Sequence, residues 1–290
     1  MLLFLMAKLH KSPLSCNFFA YLCRMEFRTI VGVDSPEWRV KPFARVLLVG
    51  SCFAQNMGGR FSDARFPTVV NPFGVMYNPA SVLHTVRDWQ GEADVTLITL
   101  GTNRVYVERA TGCIVDNCQK RPQQLFREEA LSVEQCVGYL EEVVEELRRR
   151  NPLVRVVITV SPIRYRKYGY HGSQLSKATL LLAADQLVRR HEEVVSYFPA
   201  YEILNDELRD YRFYASDMLH PSEQAVDYLW ERFVEAYFSD DACRWLREWS
   251  PVRAALGHRP LNPDSPEWQA FKEKTQAQYE ALQKKWGLTE

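Results

Sequence analysis

The sequence has no excess charge of either sign: Lys and Arg together number 36, as do Asp and Glu, so the formal net charge is zero. A chain so balanced carries no electrostatic footprint for nucleic acid or an anionic membrane surface. A small or neutral substrate suits it better. No stretch approaches the roughly 18 consecutive apolar residues of a membrane span, so no membrane partner is expected. The seven cysteines (16, 23, 52, 113, 118, 136 and 243) are odd in number, with no C-x-x-C pair and no His/Cys cluster at zinc spacing. That pattern argues against a disulfide framework and implies no metal. Reduced, mostly buried thiols in a reducing, cytoplasmic setting are the expectation. Internal repeats and low-complexity tracts are also missing.

The chain's 290 residues, 47% of them hydrophobic, suffice for one large domain with an appendage. Residues 1–24 hold two short apolar runs, with Lys8, His10 and Lys11 after the first and no small-residue cleavage site. A secretory signal carries its positive charge ahead of the apolar run, so this is a poor one. Met25 is the expected start, with residues 1–24 an upstream extension or disordered.

From Arg45 onward, strand-like and helix-like segments alternate. Buried strands are expected at Arg45 to Val49, Asp94 to Leu100 and Val154 to Val160, with shorter ones at Thr68 to Val70 and Tyr201 to Leu204. Helices are expected over Ala54 to Phe61, Ser81 to Trp89, Ser132 to Arg150, Ser173 to His191 and Glu223 to Phe238. Ser132 and Gln135 form a capping-box pattern, and a hairpin is expected around Ala110-Thr111-Gly112. The alternation implies a mostly parallel sheet covered on both faces, a three-layer αβα sandwich. Residues 239–290, rich in Trp and Pro, read as a helical tail packed on a domain of residues 25–238.

In open α/β sheets, ligands bind at the carboxyl ends of the strands. The first strand ends in Gly50-Ser51-Cys52, the third in Gly101-Thr102-Asn103, the fourth in Ser161-Pro162. A serine between a buried strand and a helix stands at the positive end of the helix dipole. Its hydroxyl needs an adjacent base, and the base needs an orienting acceptor; Asp217-Met218-Leu219-His220 supplies both. Cys52 is the rival nucleophile, read as packed away because its side chain should point away from that of Ser51 at the turn.

Gly50-Ser51-Cys52-Phe53-Ala54 resembles the motif of the GSCFA family, a largely bacterial branch of the SGNH/GDSL-like hydrolase superfamily. The resemblance continues through Asn71-Pro72-Phe73-Gly74, Tyr77-Asn78-Pro79, Leu100-Gly101-Thr102, Ser161-Pro162, Leu175-Ser176-Lys177-Ala178, Tyr197-Phe198-Pro199-Ala200-Tyr201-Glu202 and Asp217-Met218-Leu219-His220-Pro221. It implies an SGNH/flavodoxin-like fold with Ser51, Asp217 and His220 as a catalytic triad. It also implies an oxyanion site made of the Ser51 and Gly74 N–H groups and the Asn103 side chain, although Asn103-Arg104 departs from the family's usual pattern. Asn71, Thr102, Ser161, Arg164, His171 and Lys177 are the candidate substrate-binding residues.

The expected activity is hydrolysis of an ester, small or carbohydrate-linked, without a cofactor. An acyltransferase on the same triad and a non-catalytic module binding acyl or glycan groups are the alternatives.

Overall fold

Continuous β-branched and leucine runs such as Val46-Leu47-Leu48-Val49 have no polar face to offer water, so they form strands only where both faces are covered. The computed structural model describes residues 28–288; the expectations about residues 1–24 and Met25 lie outside the described residues. In chain order the elements are β1 (Val46–Gly50), α1 (Cys52–Asp63), β2 (Thr68–Val70), α2 (Pro79–Asp88), β3 (Val95–Leu100), β4 (Arg104–Glu108), β5 (Ile114–Val115), β6 (Phe126–Ala130), α3 (Val133–Arg150), β7 (Arg155–Val160), α4 (Gly169–Arg190), β8 (Val195–Tyr197), α5 (Glu223–Tyr237), α6 (Asp240–Leu256) and α7 (Pro266–Lys285).

The main sheet is parallel throughout, in the order β2-β1-β3-β7-β8. Side chains alternate across it. Leu47, Val49, Ile98 and Ile158 meet α2, α3 and α4 through Leu83, Leu140 and Leu180. Val46, Leu48, Leu97 and Val157 meet α1, α5 and α6 through Phe53, Phe233 and Trp245. The three-layer αβα architecture expected from the sequence is present. A separate antiparallel sheet, β5-β4-β6, contains the expected hairpin, with Val107 opposite Ile114.

One local expectation needs correction. The last parallel strand is Val195–Tyr197, and Tyr201 to Leu204 is helical: Ala200–Glu202 runs into a π-helical turn, Ile203–Leu208. Its apolar run packs two ways, Ile203 into the core beside α5 and Leu204 against Phe213 and Ala225. Strand β6 carries only Phe126 as a buried residue, so its acidic sequence gave no strand signal. In the tail, Asp240–Leu256 is a helix despite Pro251, anchored by buried Trp245 and Trp249. Their indole N–H groups donate to Ala64 O (2.8 Å) and Asp63 O (2.7 Å), satisfying carbonyls at the end of α1 that lack helical partners.

Gly50 ends β1 at φ +141°, where a Cβ would stand 2.2 Å from Thr99 O. Only glycine lets β1 run this close to β3 before the chain turns into α1.

Candidate active site

The chain leaves β1 toward β2 on one side and crosses to β3 on the other, so the β1/β3 carboxyl edge is the sheet's topological switch point, where ligands bind in this class of sheet. Ser51 stands at that edge as the N-cap of α1, and its hydroxyl is enclosed. It donates to Ser161 Oγ at 2.9 Å, meets Thr99 Oγ1 at 3.0 Å and accepts from Phe53 N–H at 3.2 Å. Ser51 is 0% exposed, and its N–H donates to Thr99 O at 2.9 Å. The expectation of a free serine hydroxyl, with its own N–H facing a reacting atom, is therefore corrected. An N-cap side chain folds back over the first turn of its helix, which carries this one inward.

The next side chain takes the outward place. Cys52, the first residue of α1, is half-buried, and its Sγ lies 3.6 Å from the Tyr77 hydroxyl. Cys52 packs partly against the core around Phe53, as expected, while keeping part of its surface exposed. The Cys52 N–H, first in the helix, makes no hydrogen bond among the described residues.

Asp217 and His220 are brought together as expected. The carboxylate Oδ2 lies 2.6 Å from the imidazole Nδ1, and Oδ1 accepts from the N–H groups of Leu219 (2.8 Å) and His220 (3.0 Å). The turn is tight enough to hold Met218 at φ +59°. The His220 N–H, then its imidazole and the Leu219 N–H, hold the Asp217 carboxyl well below the usual carboxylate range. With Nδ1 donating to that carboxylate, Nε2 is the lone-pair nitrogen (a tautomer assigned from the contact), and it has no hydrogen-bond partner among the described residues.

Helix α1 relates the two halves. Cys52, Asn56 and Arg60 succeed one another at four-residue spacing on one face. Arg60 pairs with Asp227 of α5 at 2.6 Å and reaches Glu223 at 3.8 Å. Asn56, one turn earlier, shares a cleft of about 240 Å³ with Pro221 and Glu223. No hydrogen bond joins His220 to Cys52 or to Ser51 in this arrangement.

The remaining expected site residues are mostly structural. Gly74 N–H donates to Asn71 O at 2.9 Å. Asn71 accepts from Gly50 N–H at 2.8 Å, holding the end of β1. Asn103 donates its side-chain amide to Leu131 O at 2.8 Å, while Ser176 Oγ meets both the Asn103 N–H (2.9 Å) and Thr102 Oγ1 (3.0 Å). The Gly74 N–H is taken, the Asn103 amide has one of its two N–H groups bonded, and Thr102 and Ser161 are buried. Arg164 supports the Asp217–His220 turn, donating from its backbone N–H to Leu219 O (3.0 Å) and from its guanidinium to Met218 O (3.2 Å), between the rings of Tyr170 and Tyr214. His171 is exposed in the first turn of α4.

Lys177 is 1% exposed and donates to Ser161 O at 2.7 Å, over the rings of Tyr165 and Tyr201. Burial with no carboxylate beside it pushes its ammonium down to about 7. Its ammonium braces the end of β7 from beneath.

Sequence reasoning missed Tyr77 and Tyr165. Tyr165 packs edge-on to Tyr77, ring centroids 5.8 Å apart, and both crowd Gly101, where a Cβ would meet Tyr165 Oη at 2.5 Å. The available signal was the Tyr-Asn-Pro start of α2, because a residue just ahead of an N-cap sits at the sheet edge.

The GSCFA family model matches residues 45–93 and 82–233, and the model of the GSCFA domain protein C-terminal domain matches residues 249–288. No sequence among curated proteins matches the chain. Among solved structures, a member of the lipolytic protein G-D-S-L family from Veillonella parvula is 13% identical, with a TM-score of 0.43 over 68% of this chain and 98% of its own. Carbohydrate esterase family 3 from Talaromyces cellulolyticus is 12% identical, TM-score 0.40, covering 66% and 97%. A variant of an acetyl-xylooligosaccharide esterase from Geobacillus is 12% identical, TM-score 0.44, covering 68% and 95%. Overlaps this loose say nothing about chemistry.

Proposed function

The chain belongs to the GSCFA family, and from that premise we propose that it transfers the acyl group of an ester, to water or to another acceptor, with Cys52 as nucleophile. His220 is the base and Asp217 its orienting acceptor. The observation that carries this reading is the exchange of roles at the β1–α1 turn: Ser51 Oγ is enclosed by Thr99, Ser161 and Phe53 N–H, and Cys52 Sγ faces outward. It is supported by the shared face of Cys52, Asn56 and Arg60, which leads toward the residues around His220.

A thiol at a helix N-terminus ionises more readily than an alcohol and needs less help from a base. His220 Nε2 takes the Sγ proton as sulfur adds to the ester carbonyl, and returns it to the departing alkoxide. A thioester on Cys52 remains. Water or an acceptor hydroxyl, deprotonated by the same nitrogen, then releases the acyl group and restores the thiol. Asp217 keeps Nδ1 protonated throughout, so that Nε2 stays the working nitrogen. The Cys52 N–H is in place to meet the developing oxyanion.

The test uses p-nitrophenyl acetate on the full chain, with acetylated sugars as the first panel of natural-type esters. C52A should lose the burst of p-nitrophenolate, and peptide mapping should find the acetyl group on Cys52. An unchanged burst in C52A, or a fluorophosphonate label on Ser51, would refute the cysteine reading.

A further inference from the structure

Of the three oxyanion donors implied by the family pattern, the two main-chain ones are engaged elsewhere: the N–H groups of Ser51 and Gly74 are bonded to Thr99 O and Asn71 O, while the Asn103 amide gives one of its two N–H groups to Leu131 O. One main-chain donor, the Cys52 N–H, is left at the switch point, and acyl transfer ordinarily calls for at least one more. We propose that the Tyr77 hydroxyl is that second donor, a catalytic residue that binds the oxyanion formed when Cys52 attacks. The inference rests on the Cys52 reading above.

Position comes first. Tyr77 Oη lies 3.6 Å from Cys52 Sγ, so a carbonyl carbon bonded to that sulfur carries its oxygen into the reach of the hydroxyl. The hydroxyls of Ser51, Thr99 and Ser161 are bonded to one another beneath the turn, and that of Tyr165, beside Tyr77, is buried against Gly101 without a partner.

The ring is also held before any substrate arrives. Tyr77 O accepts from the N–H groups of Gly101 and Thr102, both at 2.8 Å, and the next residue, Asn78, caps α2. Its ring stands edge-on to Tyr165 at an interplanar angle of 89°. Gly101 leaves the room: a Cβ there would be 3.1 Å from Tyr77 Cδ1. A donor fixed in this way has no reorganisation to perform as charge develops. Burial, then the contact with Cys52, pushes the Tyr77 phenol up to about 12, so it carries its proton at neutral pH.

In the step itself the Sγ–C bond forms and the carbonyl π pair moves onto oxygen. Tyr77 donates a hydrogen bond to that oxygen and keeps its proton. On collapse the pair returns, the C–O bond to the alcohol breaks, and His220 protonates the leaving oxygen.

The experiment compares two reactions of Cys52 in the full-length Y77F protein. Acylation by p-nitrophenyl acetate passes through an oxyanion; alkylation by iodoacetamide, a displacement at a saturated carbon, does not. Y77F should slow acylation by about a hundredfold while Cys52 alkylation, followed by peptide mapping, keeps its native rate. Equal losses in both reactions would make Tyr77 a packing residue and overturn the proposal, as would no loss in either. Failure of the underlying reading shows separately: C52A would then acylate as fast as the native chain, leaving Tyr77 no oxyanion to bind.

Discussion

Ser51 donates its hydroxyl proton to Ser161 Oγ across 2.9 Å, and this bond ties the end of β1 to the end of β7. The same oxygen caps α1 through Phe53 N–H, so the serine of the Gly-Ser pair braces the turn that presents Cys52.

Removing that brace should therefore affect stability more than chemistry. S51A loses an N-cap and leaves two buried hydroxyls with one partner fewer, at a cost of about 1–3 kcal/mol. Urea denaturation should show this loss, while the folded protein keeps its p-nitrophenyl acetate burst. Loss of the burst at unchanged stability would return the nucleophile's role to Ser51.

Asp217 is tested by D217N. The amide can pair with Nδ1 only as acceptor through one atom or as donor through the other, and it favours the wrong tautomer. The expected fall in kcat is about 10³–10⁴-fold, by analogy with other His–Asp pairs. Circular dichroism should show an unchanged fold. A fall of less than tenfold would remove Asp217 from the mechanism.

Lys177 sets a pH dependence of stability. Its ammonium titrates near 7 in the folded protein and near 10.4 in an unfolded chain. Between those values the unfolded chain binds the proton and the folded one does not. Stability therefore rises with pH through that window and is lowest below about 7, where both forms are charged, the full swing being about 3–5 kcal/mol. K177M should flatten this rise between pH 7 and 9 in urea titrations. A slope that survives the substitution would assign it to other groups.

The tail is tested by W245A. The indole is 1% exposed, packs on Phe43 and Trp249 and donates to Ala64 O. Truncation should cost about 3–5 kcal/mol, lowering the thermal midpoint, with the acylation rate of the folded fraction unchanged. A wild-type midpoint would show that α6 adds little to the core.

Much of the fold was legible because buried parallel strands and amphipathic helices carry strong, local hydrophobic patterns. Val46–Gly50, Val95–Leu100 and Arg155–Val160 stand in the sequence as apolar runs, and Ser132 with Gln135 marks the start of α3 by its capping chemistry. Strands β6 and β8 were not legible: one is acidic, the other three residues long, and both depend on a partner strand for their identity.

By itself the sequence determined the alternation of buried strands and helices that implies the αβα layers, and the pairing of Asp217 with His220, since hydrophobic periodicity and a three-residue spacing are local. Which of Ser51 and Cys52 faces the cleft was decided only by tertiary structure. The hydroxyl's partners, Thr99 and Ser161, lie 48 and 110 residues away. Direction at a one-residue turn is set by which side chain finds buried partners, and those partners exist only once β1, β3 and β7 lie side by side.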